Sequence, residues 1–394
     1  MLTVAESLQA VLSRAVPLEG VELPLAGTRG QVLRQDVCAD QDFPPFDASA
    51  MDGYALRRTD AGQTLRVVGT AAAGNGFSSR VGAGECVRIF TGAPVPPGAD
   101  LVCKQEDAVR EGNTVKVPPA GGADYIRRRG ENRRAGDLLV RAGTRLGPTE
   151  LAALASAGVA EPVVGPAPRC AHLVTGSELV APDEVPAGAQ IRDSNSILIA
   201  GLLAGQGADL IFQSRVRDDL AMARKLAEAL PPHELLLISG GAGQGDPDLA
   251  RPLLEALGYT VHFEAVNLRP GKPLVFASRG DRLAFALPGN PVSHWVTFHL
   301  FVAPLLRTWQ GAPAQPEPVL GRYAPAAFRP AADPRPTYWP SRTAVVAGVP
   351  ELTPLPLASS GDSSGLVGAN ALLPPTALPG GLTAGQMVEF IPCP

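Results

Sequence analysis

Acidic residues occur in three segments that follow apolar, strand-like runs. Glu178 lies in TGSEL, Asp218 and Asp219 follow FQSRVR, and Asp248 lies in SGGAGQGDPD. Glu178 has two interpretations, a metal-binding carboxylate or the acid of a helix first turn, and Asp248 is a candidate cap of the next helix. Beside FQSRVR, capping accounts for one aspartate and leaves the other free. The sequence leaves open which of the two is free.

The glycine-rich loop SGGAGQGDPD, which contains Gly240 and Gly241, separates a strand-like run from a helix-like run. Backbone N–H groups and the helix dipole at such a position hold anions. A glycine turn with Asp246 or Asp248 as the helix cap explains the same residues at least as well. No GxxxxGK[ST] motif occurs, and no GxGxxG stands in a nucleotide-binding context, so a P-loop and a nicotinamide site have little support.

Lysine is rare, because only four of the 34 basic residues are lysine. One of the four, Lys272, lies in the turn RPGKP, where an ammonium group is a good partner for a phosphate or an oxyanion. A solvated turn charge is the alternative. Carboxylates with a lysine, in the absence of a GxSxG motif or a histidine placed for nucleophilic catalysis, favour metal-assisted phosphate or oxyanion chemistry.

Two further segments carry charge without a clear period. IRRRGENRR holds five arginines in nine residues and fits either an anionic ligand or partner, or a solvated surface. PPFDASAMDGYAL, residues 44–56, places Asp47 and Asp52 among prolines and small residues that follow neither strand nor helix spacing.

The elements that must position these residues fall into four regions. From residue 169, strand-like and helix-like runs alternate, which predicts an α/β sheet with helices on its faces; its carboxyl edge collects the loops TGSEL, SGGAGQGDPD and LPGNP. Short Val-, Ile- and Thr-rich runs from Thr64 to Val117 predict β structure. The sequence predicts helical regions at 1–38 and 136–168, an inserted β domain at 39–135, the α/β domain at 169–311 and a C-terminal β domain at 312–394.

Composition limits the class of protein. With 394 residues, 45% hydrophobic, 18% charged and a net charge of −4, the chain is typical of a folded multidomain protein and lacks the basic excess that nucleic-acid binding requires. Five separated cysteines without CxxC favour a reducing compartment. The longest apolar run, around 294–306, is shorter than a membrane span. We expect a soluble cytoplasmic protein with no nucleic-acid or membrane partner.

The motifs, taken in order, resemble one family. PPFDASAMDGYAL, RIFTGAPVPPGAD, RRRGEN, TGSEL, IRDSN, SGGAGQGDPD, RPGKP and LPGNP occur in the order and rough spacing of the molybdopterin molybdenumtransferases, which include the MoeA proteins and the E domain of gephyrin. The resemblance covers nearly the whole chain. It implies a homodimer in which the helical regions dimerise and the α/β domain, with a doubly wound sheet, binds molybdopterin. It also implies insertion of molybdate into adenylylated molybdopterin with release of AMP and with Mg²⁺.

The resemblance implies site residues position by position. Catalytic residues would be Asp52, Glu178, Asp218, Asp248 and Lys272, of which Glu178, Asp218 and Asp248 would place the metal. Pterin and oxyanion would be bound by Thr91, Asn132, Thr175, Gly240, Gly241, Arg269, Pro288, Asn290 and Pro291. Asp52 would belong to a cleft loop that faces the α/β domain of the partner subunit. Other cofactor-biosynthesis proteins are further expected partners.

The chain departs from the family pattern in four motifs. GED is GEN, with Asn132; TGDEL is TGSEL, with Ser177; KPGKP is RPGKP; and GGVS is GGAG. The first two changes each remove a carboxylate, which bears on metal affinity. A non-catalytic pterin-binding scaffold of the same fold is the alternative function. A nucleotidyltransferase that makes the adenylylated pterin would explain the α/β domain alone. The preference between molybdate and tungstate is open.

Overall fold

The computed structural model describes residues 1–241, 249–325, 333–375 and 382–393. The chain forms two compact units, one of Met1–Gln35, Ala142–Gly147 and Glu161–Pro394 and the other of Asp36–Arg141 and Pro148–Ala160. The first segment contains α1 (Val4–Leu12) and β1 (Val21–Glu22). Helix α1 begins with a capping box, in which the Thr3 side chain accepts from the Glu6 N–H and the Glu6 carboxylate accepts from the Thr3 N–H.

The unit that starts at Asp36 is mainly β structure. Its elements are β2 (Val37–Cys38), β3 (Ala48–Ser49), β4 (Gly53–Leu56), β5 (Thr64–Ala71), β6 (Glu85–Ile89), β7 (Leu101–Lys104), β8 (Val109–Glu111), β9 (Thr114–Lys116), β10 (Ile126–Arg127), β11 (Leu138–Val140) and α2 (Pro148–Ser156). Six strands form one sheet in the order β7-β4-β6-β5-β9-β8. The pairs β10 with β3 and β11 with β2 complete the unit.

Strand β4 lies inside this sheet and is buried on both faces. Tyr54 and Leu56 pack into one apolar cluster and Ala55 into another, as the two-residue period of a strand requires. Gly53 begins the strand where β7 passes so close that a Cβ atom would lie 1.8 Å from the Cys103 carbonyl oxygen. The glycine that follows Asp52 in the motif is therefore required by the close packing of β4 against β7.

The helical prediction for residues 1–38 and 136–168 was correct in place and too long in extent. In these regions α-helix is confined to α1 and α2, and one 3₁₀ turn, Leu25–Gly27, lies in the first of them. The remainder contains short strands and turns, because prolines and glycines such as Pro17, Gly20 and Pro24 interrupt helical hydrogen bonding. The predicted fold class as a whole is confirmed.

The α/β region of the first unit follows. Its elements are β12 (Val163–Val164), β13 (Arg169–Thr175), β14 (Leu179–Val180), β15 (Ile191–Arg192), α3 (Asn195–Gly205), β16 (Asp209–Val216), α4 (Leu220–Glu228), β17 (Leu235–Ser239), α5 (Ala250–Ala256), β18 (Thr260–Ala265), β19 (Pro273–Arg279), β20 (Arg282–Leu287), α6 (Pro291–Thr297) and α7 (Ala303–Gln310). A π-helical turn, Phe298–Val302, joins the last two helices. The sheet order is β16-β13-β17-β20-β19-β18, and the first four strands are parallel.

Helices cover both faces of this sheet. Along β17, Leu235 and Leu237 face a core with α3, α6 and α7, whereas Leu236 and Ile238 face a core with α4 and α5. Strand β20 places Phe285 in the first core and Ala284 in the second. A strand buried on both faces is the arrangement of a doubly wound sheet.

The C-terminal region is a closed barrel. Its strands are β21 (Val319–Tyr323), β22 (Trp339–Val346), β23 (Val349–Pro354), β24 (Ala371–Leu373) and β25 (Met387–Pro392). They close in the order β21-β23-β22-β24-β25, since β21 also pairs with β25. The predicted C-terminal β structure is confirmed. In the part of the chain that the structure describes, no helix has the length and apolar character to cross a bilayer.

Candidate active site

A pocket of about 1200 Å³ lies at the carboxyl edge of the parallel strands. The loops that follow β13, β17 and β20 form one wall, as expected for an open α/β sheet. The loop between β23 and β24 and the start of β22 form the opposite wall. The pocket therefore lies between the α/β sheet and the C-terminal barrel, which belong to one compact unit.

Most of the predicted site residues line this pocket. They are Thr175, Glu178, Asp218, Gly240, Gly241, Arg269, Lys272, Pro288, Asn290 and Pro291. Asp52, Thr91 and Asn132 belong to the other compact unit. Asp248, and with it the capping alternative Asp246, lies outside the described residues.

The side chains distinguish Asp218 from Asp219. Asp219 caps α4, because its carboxylate accepts from the Met222 N–H at 3.0 Å. Asp218 lines the pocket and accepts from the Ser177 N–H at 3.0 Å, while the Ser177 hydroxyl accepts from the Asp218 N–H at 3.2 Å. The backbone N–H and the hydroxyl of Ser177 thus join two pocket loops, one through the Asp218 carboxylate and the other through its N–H.

Gly240 and Gly241 form the floor of the pocket where β17 ends. Both have left-handed backbones, with φ of 86° and 62°. A Cβ on Gly240 would lie 2.6 Å from the Thr175 carbonyl oxygen and 3.0 Å from its hydroxyl. The Gly240 N–H donates to the Leu287 carbonyl, so this amide holds two strand ends together and does not face a ligand. Because neither glycine has a side chain, the floor of the pocket stays free of atoms that would occupy the ligand's space.

Gly240→Ala is expected to destabilise the protein more than Gly280→Ala. Both positions have positive φ, at 86° and 57°, so both alanines carry the same kind of backbone strain. Only Gly240 also places the new methyl against Thr175, since nothing lies within 4 Å at Gly280. We expect a difference of about 1–3 kcal/mol in the free energy of unfolding, measured with denaturant. Equal losses of unfolding free energy in the two variants would show that the pocket floor accommodates a methyl group without strain.

The two basic residues of RPGKP have different surroundings. Arg269 lies 3.1 Å from Asp333, which also accepts a bidentate pair of hydrogen bonds from Arg335 at 2.9 Å each. These bonds, those from Arg335 first, hold the pKa of the Asp333 carboxyl well below its usual range. Lys272 lines the pocket and forms no ion pair within the described part of the chain. Its ammonium group is therefore available to an anionic ligand, whereas Arg192, also on the pocket wall, donates its Nε to the Glu184 carbonyl at 3.1 Å.

The barrel contributes residues that the sequence did not single out. Ser359, Ser360 and Ser363 of the segment ASSGDSSG line the pocket. Asn290 donates its amide to the Ser360 hydroxyl at 2.7 Å, and the Val292 N–H donates to the Ser360 carbonyl. A serine- and glycine-rich loop between two strands was the signal available, but only the folded barrel shows that it faces LPGNP.

A chain of buried hydrogen bonds lies beneath the pocket. The Gln213 amide donates to His172 Nδ1 at 2.9 Å, so His172 Nε2 carries the proton toward the Ser239 hydroxyl at 2.6 Å. The hydroxyl then donates to His294 Nε2 at 2.7 Å. Burial lowers the pKa of His172 to about 3 and that of His294 to about 4, so both rings are neutral. Ser239 is fully buried in this chain, which makes it a positioning residue and not an exposed nucleophile.

His299→Phe is expected to flatten the dependence of stability on pH. Burial lowers the pKa of His299 to about 4, and its ring makes an edge-to-face contact with Trp295, with centroids 4.5 Å apart, which a phenyl ring can imitate. Below about pH 6.5 the unfolded imidazole binds a proton that the native ring excludes, so the wild type loses about 2 kcal/mol from this residue by pH 5. The variant should keep that amount. The prediction is wrong if the difference in unfolding free energy between the variant and the wild type stays constant from about pH 7.5 to pH 5.

In the other unit, Asp52 and Thr91 are in direct contact. The Asp52 carboxylate accepts from the Thr91 N–H and hydroxyl, both at 2.8 Å, and these bonds lower the pKa of Asp52. Thr91 is exposed. The structure thus joins two residues that the family resemblance implies separately, in the motifs SAMDGYA and FTGAPV.

The arginine-rich segment is largely engaged within its own unit. Arg128 contacts Asp47 at 2.9 Å and also Asp124, while Arg129 contacts Asp42 at 2.7 Å. Asp47, the first aspartate of PPFDASAMDGYAL, therefore holds this segment in place. Asn132 is exposed, and its N–H donates to the Phe43 carbonyl. The carboxylate of the neighbouring Glu131 accepts from the Arg128 N–H at 2.6 Å, which gives it a local structural partner.

The pocket's oxygen donors suit a hard divalent cation. Among the residues described, no three His, Cys, Asp or Glu side chains come together to enclose a metal ion. Mg²⁺ is commonly bound through one or two carboxylates, with water and substrate phosphates completing its shell. Glu178 and Asp218 on the pocket wall fit that requirement.

Carboxylates, a lysine and glycine turns at the carboxyl edge of a doubly wound sheet define an anion-binding α/β protein. Two family models match the chain: the MoeA N-terminal region (domain I and II) at residues 2–158 and the "probable molybdopterin binding domain" at residues 171–308. The chain is 35% identical to a molybdopterin molybdenumtransferase from a Nostoc species over 308 residues, which cover 75% of this chain and 70% of the relative. It is 31% identical to the protein of that name from Staphylococcus aureus over 320 residues, 79% and 76% of the two chains.

Solved structures agree with the sequence comparison. A molybdopterin biosynthesis MoeA protein from Pyrococcus horikoshii superposes with a TM-score of 0.81 at 28% identity, covering 100% of this chain and 99% of that one. A further structure, of a molybdopterin biosynthesis MoeA protein from Pyrococcus horikoshii OT3, gives a TM-score of 0.79 at 26% identity, with complete coverage of both chains. The chain belongs to the molybdopterin molybdenumtransferase family. It is a transferase of molybdenum cofactor biosynthesis, with a substrate related to molybdopterin.

Proposed function

We propose that this chain inserts molybdate into adenylylated molybdopterin with release of AMP and that it depends on Mg²⁺. The observation that carries the proposal is the pocket itself, where Glu178, Asp218 and Lys272 meet two glycines at the ends of adjacent strands. Both substrates are anions, which need cations or N–H donors close by. Mg²⁺ held by the two carboxylates would offset the charge of the phosphates.

Within this proposal the side chains have separate roles. Lys272 binds a phosphate or the oxyanion, Asn290 and Ser360 fix the LPGNP loop, and the buried His-Ser-His chain holds the strand ends beneath it. Arg269 is positioned by Asp333 and adds positive charge at the rim. Thr175, whose hydroxyl donates to the Ser239 carbonyl at 3.3 Å, supports the floor. Asp248 is retained in this proposal as the third acid.

AMP release from adenylylated molybdopterin tests the proposal. Turnover should require molybdate and should fall when the divalent cation is chelated. Pterin binding without molybdate-dependent AMP release would favour the alternative, a scaffold that retains the cleft. Substitution of tungstate in the same assay measures the oxyanion preference.

We further propose a homodimer in which Asp52 and Thr91 act on the pocket of the partner subunit, with Asn132 near them. The support is that these residues belong to a compact unit other than the one that contains the pocket. The regions 1–38 and 136–168 are the proposed dimerisation domain, and the cytoplasm is the proposed compartment. Sedimentation at micromolar concentration tests this, and a fully active monomer would contradict it.

A further inference from the structure

A second cavity, of about 150 Å³, lies at the opposite edge of the α/β sheet from the pocket. It is formed where β17 and β20 begin and where α4 and α5 end. Its polar walls are Glu228, His233, Tyr259, Arg279 and Arg282, and its apolar walls include Leu236 and Leu257. In other proteins a cavity of about this volume holds a molecule of roughly six heavy atoms.

Two buried polar atoms on the cavity wall have no hydrogen-bond partner in the part of the chain that the structure describes. Tyr259 is 5% exposed and His233 is 6% exposed, and neither the phenol oxygen nor His233 Nε2 forms a hydrogen bond. Buried polar atoms are nearly always hydrogen-bonded, so two such atoms at one cavity indicate a bound species. Tyr259 is fixed in place, because its N–H donates to the Leu254 carbonyl at 2.9 Å as the chain leaves α5.

Positive charge dominates the cavity. The Arg279 guanidinium lies 5.2 Å from the centre of the Tyr259 ring and donates to the Leu257 carbonyl at 2.6 Å. Neither Arg279 nor Arg282 forms an ion pair with an acid of the described chain. The nearby acids are engaged elsewhere, since Glu228 pairs with Arg224 at 2.7 Å and Glu234 pairs with Arg169 at 2.5 Å.

His233 limits which anion can fit. Its Nδ1 lies 2.8 Å from the Pro231 carbonyl and must donate to it, so Nε2 of the neutral ring presents a lone pair. Burial lowers the pKa of His233, and Arg282 and Arg279 lower it further; together they outweigh the hydrogen bond to the Pro231 carbonyl and the charge of Glu234, which both raise it, and this favours the neutral form. A bound anion must therefore supply a proton to Nε2. Phosphate carries an O–H at neutral pH, whereas sulfate and molybdate do not.

We propose that the cavity is a binding site for inorganic phosphate, separate from the pocket that binds the pterin. The anion has five heavy atoms and accepts from Arg279, Arg282 and the Tyr259 hydroxyl while it donates to His233 Nε2. The carboxyl ends of α4 and α5 carry partial negative charge, which opposes an anion. Two guanidinium groups offset that charge, and the Arg279 bond to Leu257 neutralises the end of α5 directly.

Calorimetric titration of the full chain with inorganic phosphate at about pH 7.5 tests the proposal. Arg282→Ala, which removes the guanidinium that has no other hydrogen bond in the described structure, should weaken phosphate binding at least about tenfold. Tyr259→Phe removes only the hydroxyl and should weaken binding about threefold to tenfold. Arg215→Ala, an exposed arginine on β16, is the matched control and should leave binding unchanged. Melting temperatures establish that each variant is folded.

Two comparisons distinguish phosphate binding in this cavity from binding in the pterin pocket and from non-specific binding of anions to the surface. Lys272→Ala should leave this phosphate binding intact. Sulfate should bind the wild type at least about tenfold more weakly than phosphate, and His233→Gln, whose amide can donate or accept, should bring the two close together. Equal phosphate affinity in wild type and Arg282→Ala, loss of binding in Lys272→Ala alone, or equal affinities of the wild type for sulfate and phosphate would each overturn the proposal.

Discussion

Lys272→Ala is expected to weaken binding of the adenylylated pterin about 10- to 100-fold, because it removes an ammonium group of the pocket wall that has no ion-pair partner within the described residues. Hydrogen bonds to a charged group contribute about 1.5–3 kcal/mol, which is the origin of that range. Arg269 does not replace the lysine, since Asp333 holds its guanidinium at 3.1 Å. Equilibrium binding of the pterin, measured without molybdate, isolates this effect from turnover.

Lys225→Ala is the matched control for this result. Lys225 is exposed on α4 and does not line the pocket. Its loss removes the same charge from the same compact unit, so long-range electrostatics are matched. If both variants bind the pterin with equal affinity, Lys272 does not contact the ligand.

Asp218→Asn should reduce AMP release about a hundredfold, whereas Asp219→Asn should leave it nearly unchanged. Both substitutions remove one negative charge without changing size. An amide at 218 still accepts from the Ser177 N–H, and an amide at 219 still caps α4, so each local structure is preserved. Only Asp218 lines the pocket, where loss of a preorganised charge is worth about 2–4 kcal/mol in the transition state.

Glu178→Gln belongs to the same comparison and should act in the same direction as Asp218→Asn. For both pocket acids, raising the Mg²⁺ concentration should recover part of the lost rate if the carboxylate places the cation. Equal activity of the variants at 218 and 219 would return Asp218 to a structural role, joined to Ser177.

The sequence predicted the floor and one wall of the pocket for a physical reason. Parallel strands end at one edge of a sheet, so Thr175, which ends β13, and Gly240 and Pro288, which follow β17 and β20, had to lie close together. Asp219 and Asp218 could not be told apart, because a cap is defined by one hydrogen bond and both residues precede α4.

Contacts between segments that are far apart in the chain could not be predicted from the sequence. Asn290 and Ser360 are 70 residues apart and meet only because the barrel covers the LPGNP loop. Asp47 and Arg128 are 81 residues apart, and their ion pair shows that part of the arginine-rich segment supports the fold. No local pattern encodes such pairs, since they depend on how whole domains pack.

The ratio of molybdenum bound to the product pterin to AMP released tests the central claim most directly. Adenylylated molybdopterin, molybdate and Mg²⁺ are incubated with the full chain, and the pterin is separated and its molybdenum measured beside the AMP. We expect one molybdenum for each AMP, with both falling together in Asp218→Asn. AMP released without molybdenum in the pterin, or at a rate independent of molybdate, would contradict it.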